Sequence, residues 1–442
     1  MLFGSRPDMD AFVAANTLPD YLAAVILGSL IVVFIPVFIE YRAAGQNKDA
    51  WIVASSVING CLLLIGVVLL LAMVFARPIL QVTVPGLTAP TLDLAAQVAL
   101  ITWPAVLLTC VFSLLVGVYQ AEGHFGLPAV VSFIGQLANL LLVLLLTPRW
   151  GVLGVAVAAF VNIALQVAGV SAIGRGADRY RARINWQHPG VRQVLILLAP
   201  LLLLGVFSRW TPVIDRFLLS GLPSGSIAHV NYAFKLVEVL AGLLSTGIAV
   251  VVFPRMVLNV SEKDLGGLRA TVSLSLRLMW LAVAPAMTIG VALALPAVTL
   301  LLQRGQFLPE DSAAVAGLVR LYLLALVGMS LGTVTGRSFY ALRQTRLVAQ
   351  IGILQALIYV GYDALLVNRL GVVGIALAYT LYFNVSLLWQ LLLIRRKTGA
   401  AGILITRSFI RTGAAAVIAG LAAFGLTLLT LPLWLQLTLA LR

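Results

Sequence analysis

The sequence predicts an all-α, polytopic membrane protein of about twelve transmembrane helices in two pseudo-symmetric bundles. Of its 442 residues, 62% are hydrophobic and only 10% are charged, and the mean hydropathy is +1.08. Many apolar runs exceed the roughly 20 residues that a helix needs to cross a bilayer. An internal repeat relates the two halves of the chain. No soluble core needs so much apolar sequence, so a multi-pass helical protein is the class that fits.

The apolar runs follow one another through short connections that contain helix-ending residues, such as Pro85-Gly86 and Gly151. Lys and Arg residues concentrate in alternate connections, which marks those connections as cytoplasmic. The predicted spans are 17–41, 51–77, 94–120, 127–147, 151–174, 193–219, 226–254, 268–302, 313–341, 347–367, 372–394 and 407–430.

The internal repeat is clearest in two pairs of segments. Residues 151–166, GVLGVAVAAFVNIALQ, match residues 371–386, GVVGIALAYTLYFNVS, and the segment around Pro36 matches that around Pro254. Two similar halves in parallel order are typical of transporters built from repeated bundles. The predicted domains are an N-terminal lobe of five spans at 1–185, a C-terminal lobe of six spans at 186–400 and an additional helix at 401–442.

The repeat also predicts that the first helix of the first half is missing from this sequence. The span 193–219 opens the second half, and its counterpart would lie before Met1. Either the helix belongs to a longer chain than the one given, or the first half evolved without it. The DNA immediately upstream of Met1 would separate the two.

Lys235 and Glu238 lie inside an apolar stretch that is long enough to cross a bilayer. A charge at the centre of a membrane helix costs roughly 2.5–3.5 kcal/mol, so it persists where it faces protein or a wet cavity. A spacing of three residues puts both side chains on one helical face. Gly242, Ser245 and Thr246 continue near that face, where another helix or a substrate can come close. This helix is therefore predicted to line a polar cavity inside a transporter.

Three stretches carry a family resemblance: residues 3–22, residues 213–256 and residues 301–346. Their most specific parts read SGLPSGS at 220–226 and RGQF at 304–307. Over nearly the whole chain, in order, the sequence resembles the MurJ (MviN-type) lipid II flippases of the multidrug/oligosaccharidyl-lipid/polysaccharide exporter superfamily. The resemblance implies two six-helix lobes around a central cavity, followed by two further helices.

The resemblance also implies a substrate and residues that bind it. Lipid II is a disaccharide-pentapeptide on a polyprenyl pyrophosphate, and moving its head group through a bilayer needs a cationic path. The family's Arg and Glu on the eighth helix match Lys235 and Glu238, and its acidic residue in the stretch FGSRPDMDAF matches Asp10. The basic pair of the family's second helix falls at Ala23-Ala24, so this cavity is expected to be less basic.

Further charges within the spans are candidates for substrate binding and ion coupling. Arg209 and Arg216 are seven residues apart on one helical face and are added to the substrate-binding set. Asp215 and Arg216 lie near the outer end of their helix, where snorkelling is the alternative. Asp363 has no neighbouring base, so it needs a partner from another helix. Asp215, Asp363 and Thr380 could together hold a sodium ion or a proton; the alternative is a structural hydrogen bond between helices.

Several function classes find no support in the sequence. It contains no P-loop, no HExxH and no GxSxG motif, so no enzyme and no cofactor are predicted. Energy for transport would come from an ion gradient or the membrane potential. No basic soluble domain suggests nucleic acid, and Cys61 and Cys110 lack the spacing of a metal site.

The sequence therefore predicts a flippase that moves lipid II from the inner to the outer leaflet of the bacterial plasma membrane by alternating access. Its partners would be lipid II, membrane lipids and cell-wall synthesis proteins. Three alternatives stay open: a flippase for another polyprenyl-linked oligosaccharide, a drug/cation antiporter, and a truncated paralogue that no longer transports. Lys235 argues against the antiporter, since such proteins prefer acidic cavities.

Overall fold

A computed structural model describes residues 6–121, 124, 126–173, 180–208, 210–342, 344–398 and 407–427. Fifteen α-helices account for almost all of these residues. They are α1 (Pro7–Ala43), α2 (Asn47–Val74), α3 (Ala76–Thr83), α4 (Ala89–Ala121), α5 (Gly126–Trp150), α6 (Val152–Ile173), α7 (Pro189–Ser208), α8 (Thr211–Ser220), α9 (Ser226–Ser261), α10 (Leu265–Ala292), α11 (Ala294–Leu302), α12 (Pro309–Ala341), α13 (Thr345–Leu370), α14 (Val372–Thr398) and α15 (Arg407–Thr427).

Ten of the described helices are long and apolar enough to cross a membrane, which agrees with a multi-pass membrane protein. The first predicted span, 17–41, lies within α1. The predicted span 193–219 is instead two helices, α7 and α8, which are separated before Thr211. Pro212 stands at the start of α8, where its missing N–H costs nothing but where it would interrupt a continuous helix.

The contacts divide the chain into two compact units. One unit comprises Arg6–Ser224 and contains α1 to α8; the other contains Gly225–Arg442 and α9 to α15. The division therefore falls between Ser224 and Gly225, whereas the sequence suggested a boundary at 185/186.

Close packing explains why α7 joins the N-terminal unit. A Cβ added to Gly190 would lie 2.7 Å from the side chains of Tyr41 on α1 and Val53 on α2. Val191 and Val194 are buried in the same hydrophobic cluster as Phe34, Phe38 and Trp51 of α1 and α2. The C-terminal end of α8 also contacts the N-terminal unit, because the N–H of Gly86, between α3 and α4, donates to Ser220 Oγ at 3.1 Å.

The repeat is visible in how each unit packs. In the N-terminal unit α1 packs on α4, α4 on α6, and α5 on α6. In the C-terminal unit α9 packs on α12, α12 on α14, and α13 on α14. The two halves of the sequence thus form the same arrangement of four helices.

The GVLG and GVVG motifs of the repeat have a common structural role. Gly151 and Gly371 take positive φ angles of 55° and 57°, which glycine adopts without strain. A Cβ on Gly154 would lie 2.8 Å from the carbonyl oxygen of Leu146, and one on Gly374 would lie 2.4 Å from that of Leu366. The first glycine turns the chain and the second lets the new helix pack tightly on the old one.

A helix break also occurs at an equivalent position in each half of the repeat. Helix α2 ends at Val74, four residues before Pro78, and α10 ends at Ala292, four residues before Pro296. Proline cannot donate to the carbonyl four residues earlier and clashes with it. Short helices α3 and α11 therefore follow in each half, and the predicted span 268–302 is divided into α10 and α11.

Candidate functional site

The charged pair on α9 is the candidate site that the sequence singled out most clearly. Lys235 Nζ donates to Glu238 Oε2 at 2.7 Å, one turn along the helix. Both side chains are exposed, at 63% and 46% of their surfaces. They point away from the core of the C-terminal unit, although the helix around them is apolar. The prediction that they share a helical face is therefore confirmed.

The opposite face of α9 packs into the C-terminal unit and fixes the direction of the charged face. The Phe234 ring makes edge contacts with Tyr322 of α12 and Tyr379 of α14, at 5.9 and 5.3 Å between centroids. Ser245 donates to Ser330 at 2.9 Å and is buried, so it lies on the packed face and not near Lys235. The exposure of Lys235 is thus enforced by aromatic packing one residue away.

Asp363 and Thr380 lie on neighbouring helices of the same unit, α13 and α14, and Thr380 is partly buried. Asp363 is fully buried on α13, one turn after Tyr359, whose ring contacts Tyr379 and Tyr382 of α14. The Thr380 hydroxyl lies 2.8 Å from the carbonyl oxygens of both Leu321 and Ala376, to which it donates its proton. Its lone pairs remain able to accept or to ligate a cation. Ion coupling through these residues stays a prediction.

The remaining predicted residues lie in the N-terminal unit. Asp215 and Arg216 are buried on α8, each with 9% of its surface exposed, so neither extends freely into solvent. Asp10 is also buried, in the first turn of α1, where a carboxylate interacts favourably with the helix N-terminus. Arg209 lies outside the described residues.

Sequence reasoning missed a cavity of about 280 Å³ between α12, α13 and α14. Gln390, Ser386 and Gln355 line it and belong to one chain of hydrogen bonds. Thr335 donates to Gln390 at 2.6 Å, Gln390 to Ser386 at 3.0 Å, and Ser386 to Gln355 at 2.8 Å. The signal in the sequence is the spacing of Gly328, Gly332 and Gly336, which puts three glycines on one face of α12.

Comparisons with known proteins agree with this architecture. The family model described as "Lipid II flippase MurJ" matches residues 1–442. A protein of Bdellovibrio bacteriovorus named "Probable lipid II flippase MurJ" is 25% identical over 388 residues, covering 84% of this chain and 73% of its own length. A Vibrio cholerae protein of the same name is 26% identical over 410 residues, covering 88% of this chain and 77% of its own length.

Solved structures share the fold. The inward closed conformation of a lipid II flippase MurJ superposes with a TM-score of 0.85 at 20% identity, covering all of this chain and 92% of its own. An inward-facing multidrug resistance MATE family transporter of the MOP superfamily gives a TM-score of 0.77 at 15% identity, covering 90% of this chain and 92% of its own.

Proposed function

The chain belongs to the lipid II flippase MurJ family, and we propose that it moves lipid II from the inner to the outer leaflet of the plasma membrane. Two units with the same helix packing suit alternating access, in which a binding site faces each side of the membrane in turn. Transport of this kind makes and breaks no covalent bond, so the chain acts as a transporter and not as an enzyme.

The exposed ammonium group of Lys235 is the observation that carries this proposal. A cation on an apolar membrane helix is retained where it meets water or an anion. The pyrophosphate of lipid II is such an anion, and a charge-assisted hydrogen bond to it is shorter and stronger than a neutral one. Glu238 holds the ammonium group in place at 2.7 Å until the substrate competes for it.

The energy source that we propose is an ion gradient or the membrane potential. A sodium ion or proton would act at Asp363 and Thr380 of the C-terminal unit; Asp215, in the N-terminal unit, is a separate candidate. An ionisable residue within a membrane-spanning helix is a candidate for an ion pathway or a proton relay. Cell-wall synthesis proteins would supply lipid II on one side and consume it on the other.

A second candidate is a flippase for another polyprenyl-linked oligosaccharide. It is favoured by Ala23-Ala24, where the resemblance places a basic pair that this chain lacks. Fewer cations favour a substrate with less negative charge. Lipid II and such a lipid share a polyprenyl phosphate anchor and differ in the sugars and the peptide.

Reconstituted transport tests the proposal. Purified protein in liposomes should move fluorescent lipid II to the opposite leaflet, measured by accessibility of its head group to an added reagent. Lys235→Ala should slow transport about tenfold or more, since a hydrogen bond to a charged group contributes about 1.5–3 kcal/mol. Arg369→Ala, which removes an exposed cation in the last turn of α13, should have no effect.

Two results would contradict the proposal. Faster transport of a polyprenyl-linked oligosaccharide without the peptide would favour the second candidate. Equal rates for the Lys235→Ala and Arg369→Ala variants would remove the role assigned to the ammonium group.

A further inference from the structure

The cavity in the C-terminal unit is open because three of its positions lack side chains. A Cβ built on Gly332, Gly336 or Gly352 would meet no heavy atom within 4 Å. Gly328 differs, because its Cβ would lie 2.4 Å from the backbone of Phe383, where α12 and α14 pack closely. The glycines at 332, 336 and 352 are therefore not required for close packing between helices, and they leave a cavity of about 280 Å³.

One wall of the cavity carries a directional chain of hydrogen bonds. Each donor from Thr335 through Gln390 and Ser386 points towards Gln355, whose Oε1 accepts the last of them. Gln355 lines the cavity with only 6% of its surface exposed, and its Nε2 has no hydrogen-bond partner among the described residues. A buried amide donor without a partner costs about 1–3 kcal/mol, so an acceptor from outside the chain is expected here.

The lining restricts the chemistry of that acceptor. Among the described residues that line the cavity there is no Asp, Glu, Lys, Arg or His, so a charged group would lose its water without gaining an ion partner from them. A purely apolar chain would leave the Gln355 amide unsatisfied. Aromatic side chains of Phe339, Tyr340 and Tyr382 supply flat apolar walls beside the polar ones. An uncharged group with both an apolar face and oxygen acceptors fits these walls.

We propose that this cavity binds the uncharged saccharide part of the transported lipid, with Gln355 donating to a sugar oxygen. The inference rests on the proposed function, which supplies a substrate carrying both a saccharide and a pyrophosphate. Sugar rings present C–H faces to aromatic rings and hydroxyl or amide oxygens to donors. The volume of the cavity is close to the lower end of small-molecule pockets, about 300 Å³, which suits a single sugar residue. Lys235 and Gln355 would then recognise different parts of one head group.

Binding measurements on the full chain in lipid nanodiscs test the inference. Two probes are compared: a polyprenyl pyrophosphate and the same lipid carrying its saccharide. Gln355→Leu should weaken binding of the saccharide-bearing lipid about fivefold, the factor expected for one lost hydrogen bond, and leave the sugar-free lipid unchanged. Gln350→Leu, the same substitution at an exposed position of α13 outside the cavity, is the matched control.

A second variant tests the cavity without touching the hydrogen bonds. Gly332→Leu places a side chain in the open volume and should weaken only the saccharide-bearing lipid. Gly361→Leu is its control, since Gly361 is exposed, does not line the cavity and also has no atom within 4 Å of an added Cβ.

The outcomes separate the two proposals. Wild-type protein that binds neither lipid would reject the proposed function and the saccharide site with it. The other result is a wild-type protein that prefers the saccharide-bearing lipid. If Gln355→Leu and Gly332→Leu then bind both lipids as the wild type does, the saccharide site alone is rejected. A cavity that holds only water gives this second result.

Discussion

At the scale of single residues, burial separates the charged side chains into two groups. Lys235 and Glu238 are exposed on an apolar helix, whereas Asp363 is fully buried and Asp215 nearly so. An exposed charge is available to a substrate that approaches from outside the unit. A buried carboxylate is available only to a small ion or a proton. The two groups thus suit the two tasks that we propose, binding an anionic head group and responding to an ion gradient.

The Asp363→Asn variant tests the second task. The amide has nearly the same shape but cannot carry a charge, so transport in liposomes should lose its response to an imposed sodium or proton gradient. The unstimulated rate should remain measurable, because the exposed pair on α9 is untouched. Melting temperature in detergent provides the folding control. Transport that still responds to the gradient would show that Asp363 has a structural role only.

At the scale of helices, glycines decide which pairs approach closely. On α12, Gly328 lies against the backbone of Phe383, whereas Gly317 has no atom near an added Cβ. Both sit in a helix interior, where glycine itself is unfavourable by about 1 kcal/mol. The α12–α14 contact therefore depends on Gly328 and not on glycine content in general.

This contrast predicts opposite effects for one substitution. Gly328→Ala should destabilise the protein by about 1–3 kcal/mol through overpacking, and lower the melting temperature by about 1–3 °C. Gly317→Ala should leave the melting temperature unchanged or raise it slightly, because alanine favours the helix. Thermal unfolding of both variants in the same detergent measures the difference. Equal melting temperatures would mean that α12 and α14 separate at little cost.

At the scale of the whole molecule, the repeat in the sequence and the packing assign α7 differently. The repeat makes α7 the first helix of the second half, but its residues pack on α1 and α2 of the first. If the units move as bodies during transport, α7 should move with α1 and α2.

Distances between spin labels test this assignment. With Cys61 and Cys110 replaced by serine, labels at the exposed positions Lys48 and Arg192, on α2 and α7, should keep one distance when lipid is added. The distance from Arg192 to Glu262, which follows α9 in the other unit, should change. A Lys48–Arg192 distance that changes while Arg192–Glu262 stays fixed would place α7 with the second half.

Much of the fold could be predicted because it depends on which residues are close to one another along the sequence. Apolar runs locate the spans, proline and glycine locate their ends, and the GVLG and GVVG motifs reveal the duplication. The shared face of Lys235 and Glu238 follows from helical spacing alone. A hydropathy profile does not locate the helix breaks at Pro78 and Pro296, because the leucine-rich helices on either side of each break form one apolar run.

The class, the order of spans, the duplication and the charged pair on α9 follow from residue order alone. Contacts between distant segments were needed to show that α7 and α8 pack with the first unit, that Ser245 is buried, and that Gln355 borders a cavity. The physical reason is that lipid and protein interior are both apolar, so hydropathy cannot tell which of them a helical face meets. That choice depends on small residues and hydrogen bonds contributed by distant parts of the chain.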